Sequence, residues 1–362
     1  DTNAFVAWRN TDDQRIYFRK MPLVAPVTPV INGYKGKRYT GGADIKTVQN
    51  LTINGNVLYS VGDSYYMSGS TAAWETYTAN WTASDLPVPT DATIVKARLY
   101  VYYTWDMVQG MPDNVSLTFN GNPKTRDAFY TDRKGFGDYD YPSGMLAYDV
   151  TADFDASGNT AVLENLNPVA GNPSIYGMLL VVIYEKTGET ERTIWLNEEC
   201  DILQARDDYN VSSTEATAFA PFAGTIDTDN VSAATLITVV PSGADGDDRN
   251  RLYFNTGEWH GIWDGFAGST QLGINETDVT DYLSSTDNLA KLQSNIPTGE
   301  TKGDYMVATN AILVVEEWTL WVYDLNGDKE ISYDEAVDAV QDYFADKITK
   351  DQLIEVLKVY FE

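Results

Sequence analysis

Thr93 to Thr104 (TIVKARLYVYYT) and Gly177 to Tyr184 (GMLLVVIY) are two runs of β-branched, aromatic and aliphatic residues with no proline and no helical period. Both read as strands. Outward from them the pattern stays the same: short runs rich in Val, Ile, Thr and Tyr, parted by the turn signals Asn54-Gly55, Asn120-Gly121 and Ser157-Gly158-Asn159. Helical periodicity of useful length is absent before residue 334. Many short strands with polar turns point to antiparallel sandwiches or barrels.

An internal repeat organises the reading. Leu117-Thr118-Phe119-Asn120 is followed by Tyr148-Asp149-Val150-Thr151 and then by the run at Gly177. Leu252-Tyr253-Phe254-Asn255 is followed by Thr277-Asp278-Val279-Thr280 and then by Asn310 to Glu317 (NAILVVEE). The expected fold is mainly β: two tandem, duplicated antiparallel β-sandwich or jelly-roll-like domains, with a small C-terminal calcium loop and two helices. The boundaries are an extended N-terminal arm over 1–40, sandwiches over 41–187 and 188–321, and the loop module over 322–362. The arm is apolar, with Phe5, Val6, Trp8, Ile16, Tyr17 and Phe18, and Pro22, Pro26 and Pro29 keep it extended.

The 362 residues carry 53 Asp and Glu against 25 Lys and Arg, a net charge of −28. Such a surface repels nucleic acid and anionic lipid and attracts divalent cations. A single cysteine, Cys200, excludes an internal disulfide, and a single histidine, His260, excludes a Cys/His zinc site and disfavours a histidine triad. The acidic neighbours Glu198, Glu199 and Asp201 discourage a thiolate at Cys200. No apolar run of 18 residues is present to span a membrane. The chain begins at Asp1 without a leader, as expected of a mature chain after signal removal or of a trimmed one.

The strongest chemical motif is 324–335, Asp-Leu-Asn-Gly-Asp-Lys-Glu-Ile-Ser-Tyr-Asp-Glu. Asp324, Asn326 and Asp328 stand at loop positions 1, 3 and 5, with Glu330 at 7 offering its carbonyl, Ser332 at 9 and Glu335 at 12. This spacing wraps hard oxygens around one Ca2+ ion. Ile331 at position 8 is expected to anchor the loop. Lys329 replaces the usual glycine at position 6, at a cost of about 1 kcal/mol, so weak binding is expected. A helix from Glu335 to Ala345 follows, with Val337, Val340 and Phe344 on one face. Thr349-Lys350-Asp351-Gln352 then caps a second helix with a Leu353, Leu357 and Phe361 stripe. The segment resembles a dockerin-like half EF-hand without a second calcium loop.

Weaker signals remain. Sequons at Asn50, Asn80, Asn114, Asn210, Asn230 and Asn275 are possible glycosylation sites. The turn Ala244-Asp245-Gly246-Asp247-Asp248 reads as a solvated hairpin tip before it reads as a second calcium site, as do Asp227 and Asp229. Tyr100, Tyr102, Tyr103 and Trp105 offer stacking faces for a glycan, although alternation sends half of them inward. No pair among the acids is selected as a glycosidase dyad. His260 reads as a surface or packing residue.

Ile53-Asn54-Gly55-Asn56-Val57, Ala97 to Trp105, Leu117 to Gly121, Tyr148 to Thr151 and the loop from Asp324 together resemble a β-sandwich domain family of secreted and surface proteins of methanogenic archaea. The resemblance covers about residues 35–362 and implies an exported surface protein with no assigned enzyme activity. Relatives commonly continue into a hydrophobic anchor, whereas this chain stops at Glu362. The expectation is a non-enzymatic, extracellular structural protein of an archaeal envelope. It would form a homopolymer as a sheath, surface layer or filament, through its N-terminal arm or its sheet edges. The alternative is an adhesion or glycan-binding protein. Other envelope proteins or glycans are the expected partners, and nucleic acid is not.

Overall fold

A computed structural model describes residues 45–135, 140–244, 248–326, 330–345 and 347–361, together with the backbone of β1 (Asn3–Arg9) and β2 (Ile16–Pro22). β1 and β2 pair with each other, from Asn3 opposite Pro22 to Arg9 opposite Ile16. Asn3–Arg9 and Ile16–Pro22 are thus ladder partners of each other where a single extended arm was expected. The proline-spaced stretch after Pro22 lies outside the described residues.

From residue 45 onward the chain is antiparallel β. One outer sheet has the order β4 (Thr76–Thr82), β10 (Gly158–Asn165), β6 (Val115–Phe119), β7 (Asn122–Lys124). The other has the order β13 (Thr217–Thr225), β18 (Thr286–Ser294), β15 (Asn250–Phe254), β16 (Gly257–His260). Between them runs a nine-stranded sheet. Its second-half wing is β17 (Leu272–Asp278), β14 (Val231–Pro241), β19 (Met306–Glu317), β12 (Glu191–Leu203). Next comes β3 (Lys46–Ser60), and then the first-half wing of β11 (Ser174–Glu185), β5 (Thr93–Thr104), β9 (Ser143–Asp149), β8 (Ala128–Asp132).

The strand sequences fix which layers are inside. β4 alternates exposed and buried residues along its whole length, as a strand with one wet face must. β5 is buried from Ala97 to Thr104 and β11 from Ser174 to Tyr184, so both of their faces are covered. Leu99, Val101 and Tyr103 pack under the first outer sheet with Tyr77, Trp81 and Phe119. Tyr100 and Tyr102 point the other way, into a core shared with Ile194, Leu196, Ile237, Val239 and Ile312 of the second wing. A third core, with Phe222, Phe254 and Trp263, lies under the second outer sheet. The two wings thus stack on each other, giving four layers and three cores. The expectation that half of Tyr100, Tyr102, Tyr103 and Trp105 point outward fails for this reason: the three tyrosines are at most 1% exposed and Trp105 is half-buried. Stacking on a glycan is closed to the tyrosines.

β3 joins the wings. Its residues 46–54 pair with β12, and its residues 55–60 pair with β11. The Asn54-Gly55 signal is therefore not a turn but a crossing inside one strand. A Cβ on Gly55 would lie 1.9 Å from the Tyr184 carbonyl oxygen, which is why glycine stands there. The Arg192 guanidinium donates to the Gly55 carbonyl at 2.8 Å and pairs with Glu316 at 2.5 Å. Asn120-Gly121 does form the hairpin turn between β6 and β7, with φ of 49° and 79°.

The repeated motifs perform the same local work twice. Asn120 and Asn255 both take φ of 49°, and each Nδ2 donates to the carboxamide oxygen of a later asparagine, Asn159 and Asn288. Asp149 and Asp278 each accept from the amide and hydroxyl of the threonine two residues on, Thr151 and Thr280. Those hydroxyls in turn accept from Ala97 N and Ala234 N. Burial opposes the charge on Asp149, but Lys96 and Thr151 outweigh it and bring its carboxyl down to about 2.

A buried polar junction crosses the shared core. Glu198 on β12 has a fully buried carboxylate, which takes a bidentate grip from Arg98 on β5 through Nε and Nη2. Tyr100 and Tyr130 donate to the same carboxylate at 2.7 and 2.9 Å, and Arg98 Nη1 reaches Asp127 at 2.8 Å. Burial works against the Arg98 charge, but Glu198 and Asp127 raise its pKa further above the ordinary guanidinium value. Lys134 lies between Asp201 at 2.5 Å and Asp132 at 2.9 Å, again one partner from each half.

Candidate calcium loop and the acidic cleft beside it

The last strand, β19, carries the chain out of the sheet at Glu317, and a short 3-10 turn over Leu320–Tyr323 leads into the loop. After the loop come α1 (Tyr333–Phe344) and α2 (Lys350–Phe361). Tyr323, Ile331, Ala336, Ala339 and Val356 form a small core of their own. Ile331 is buried, as its position in the motif requires. The α2 capping box forms as read: Gln352 Oε1 accepts from Thr349 N at 2.7 Å, and Thr349 Oγ1 accepts from Gln352 N at 3.3 Å.

Leu353 and Leu357 of the expected α2 stripe pack on this core, but the phenylalanines that end both stripes do not. Phe344 and Phe361 are 79% and 77% exposed, while alanines 336 and 339 and Val356 face inward. With a core this small, two helices approach each other only through short side chains, and the large terminal rings are left at the rim.

Asp324, Asn326, Glu330 and Glu335 are described, whereas Asp328 lies outside the described residues. Glu335 does two jobs. Its Oε1 accepts from Leu325 N and its Oε2 from Ser332 N, both at 2.8 Å, and with Ser332 it completes a capping box on α1. Those bonds, led by the one to the Ser332 amide, hold its carboxyl below the usual glutamate range. The spacing Ser332-x-x-Glu335 is also that of a capping box, a signal that the calcium reading of the same residues leaves out. Among the described residues, no group of three or more His, Cys, Asp or Glu converges as a metal cluster. The oxygen-only donor set suits a hard cation. Glu335, however, has both oxygens on backbone amides and would have to turn to ligate one.

Calcium should raise the melting temperature of this segment by several degrees, and Glu335→Ala should abolish that rise. Since Glu335 also caps α1, the calorimetric comparison is the difference between calcium and chelator within each protein. Equal melting of wild type in both would remove the site.

Beside the loop is a cleft of about 730 Å³ between the β11–β12 turn and the chain leaving β19. Glu189, Glu191, Glu317, Trp318, Trp321 and Asp324 line it. Trp321 is 43% exposed. The indole nitrogen of Trp318 is shielded from solvent and has no hydrogen-bond partner. Glu191 and Glu317 stand on opposite walls, one from the β11–β12 turn and one at the end of β19. Burial first, and then the Glu191 charge, raise the Glu317 carboxyl above its usual range. Glu189 has a distant cation in Arg192, at 3.8 Å. Nothing in the sequence reading marked this cleft, because its walls come from segments more than 100 residues apart.

Other candidates fall elsewhere. Cys200 is fully buried in the shared core, with Sγ 3.4 Å from the Ser143 carbonyl. His260 is at the surface between Asp248 and Glu258, at 3.0 and 2.8 Å. Asn50, Asn80 and Asn210 are exposed, whereas Asn114, Asn230 and Asn275 are half-buried. Asp245 and Asp247 lie outside the described residues. Among the described residues, no helix is long and apolar enough to cross a membrane.

No curated protein matches the sequence. Among solved structures, a peptide-N(4)-(N-acetyl-β-D-glucosaminyl)asparagine amidase is similar at 11% identity over 73% of this chain and 97% of its own, with a TM-score of 0.24. PNGase F, a glycosylasparaginase from Flavobacterium meningosepticum, is similar at 11% identity over 75% and 97%, with a TM-score of 0.23. The Streptomyces avermitilis α-L-rhamnosidase is similar at 13% over 70% of this chain and 26% of its own, with a TM-score of 0.18. Likeness at these scores carries no argument about activity. Residues 33–316, which hold all of the sheets from β3 to β19 but for one terminal residue, match a family described as protein of unknown function, and the chain belongs to that family, DUF3344.

Proposed function

We propose that this chain is a non-enzymatic structural protein of an archaeal cell envelope, two tandem duplicated sandwiches stiffened into one unit, which polymerises outside the cell. The observation that carries the reading is β3, whose two parts belong to the two wings and make one nine-stranded sheet of them. Such a joint removes the hinge that separate domains would have. The matching strand orders of the two outer sheets support a duplication. The sheet edges at β8, β17, β4 and β13 supply places for strand addition, and so does the N-terminal segment. A calcium-loaded loop near the C-terminus fits the ionic conditions outside a cell.

Electron microscopy of the full chain in calcium tests this. Ordered fibres, tubes or sheets are expected, and deleting residues 1–34 should leave folded, dispersed protein. Truncated protein that still polymerises would remove the N-terminal segment from the assembly, and full-length protein dispersed in every condition would end the reading. A second reading, adhesion through glycan binding, is favoured by the exposed Trp321 ring in the cleft. It predicts saturable binding on a glycan array.

A further inference from the structure

We propose that the acidic cleft beside the calcium loop is the seat for the basic N-terminal segment of this chain. This deepens the polymer reading given above, in which that segment takes part in assembly.

Charge is distributed unevenly along the sequence. Residues 1–44 hold seven of the 25 basic residues and four of the 53 acidic ones, a net of +3, which leaves −31 on residues 45–362. The basic residues cluster at Arg19-Lys20 and at Lys35-Gly36-Lys37-Arg38. The rest of the molecule attracts such a segment broadly, so the question is where it is held.

The cleft has what a cationic segment needs. Its volume of about 730 Å³ accommodates several side chains. Glu191 and Glu317 both line it, and among the described residues neither pairs with a Lys or Arg. Two carboxylates forced together gain from a guanidinium or ammonium placed between them, and a neutral sugar gives no such relief. Arg192, the cation closest at hand, is committed to Glu316 and to the Gly55 carbonyl. The exposed Trp321 ring offers a face on which an arginine can stack.

Limited digestion of the full-length protein with a lysine-specific protease, read by mass spectrometry, tests the seat. Cleavage after Lys20, Lys35 and Lys37 should be slow in wild type in low salt. It should quicken at least tenfold in Glu191→Gln/Glu317→Gln, in Trp321→Ala, and in wild type at 0.5 M sodium chloride, with unchanged melting temperatures. Trp321 is exposed, so its variant guards against loss through misfolding. Unchanged cleavage rates in both variants would overturn the proposal, as would an oligosaccharide or calcium shown to fill the cleft while cleavage stays the same. The two readings fail separately. If assembly needs residues 1–34 but ignores the cleft variants, the seat is wrong and the polymer stands. If the cleft variants release the segment while assembly persists, the seat stands and the segment is not what builds the polymer.

Discussion

Arg98→Met should cost about 3–5 kcal/mol of stability, because it leaves the Glu198 carboxylate buried without its cation. That carboxylate has no exposed surface. Its remaining donors would be the hydroxyls of Tyr100 and Tyr130, which cannot offset a full charge. The melting temperature should fall on the order of 10 °C for a chain of this size. Arg98→Met combined with Glu198→Leu should recover most of the loss, since an apolar pair of similar volume removes the stranded charge along with its partner. A double-mutant cycle by thermal or denaturant unfolding gives the coupling directly. A single variant costing less than about 1 kcal/mol would mean that the junction is wet or rearranged, and the stacking of the two wings would need another explanation.

Gly55→Ala should cost about 3 kcal/mol or more and should loosen the joint between the wings. The new methyl would meet only backbone: the Tyr184 oxygen at 1.9 Å, its carbon at 2.8 Å and Glu185 Cα at 2.9 Å. Backbone cannot rotate away as a side chain can, so β3 or β11 must move, and overpacking of this kind is strongly destabilising. Gly121→Ala is the control. Gly121 has φ of +79° at the open tip of the β6–β7 hairpin, with nothing within 4 Å of an added methyl, so its cost should be the roughly 1–2 kcal/mol of the left-handed backbone alone. Hydrogen exchange should show faster opening of β3 residues 55–60 in Gly55→Ala only. Equal effects of the two substitutions would mean that Gly55 is not a crossing point.

The sequence by itself determined the local structure. Ladder positions such as Thr93 to Thr104, the hairpin at Asn120-Gly121, the capped helix at Thr349 and the inward Ile331 all follow from side-chain shape and short-range hydrogen bonds, which need no distant partner. It also carried the repeat, because Asp149-x-Thr151 and Asp278-x-Thr280 make their bonds within three residues. Only the tertiary structure decided what lies on the second face of a strand. Tyr100 and Tyr102 look the same in sequence whether that face meets water or another sheet, and the stacking of the wings is what buries them. Asn54-Gly55 is as good a turn as any until the Tyr184 carbonyl arrives beside it. Arg98 and Glu198 are 100 residues apart, the walls of the acidic cleft are further apart still, and pattern reading has no term for such separations. Their meeting is set by how sheets pack, which depends on the summed burial of three cores rather than on any one stretch of chain.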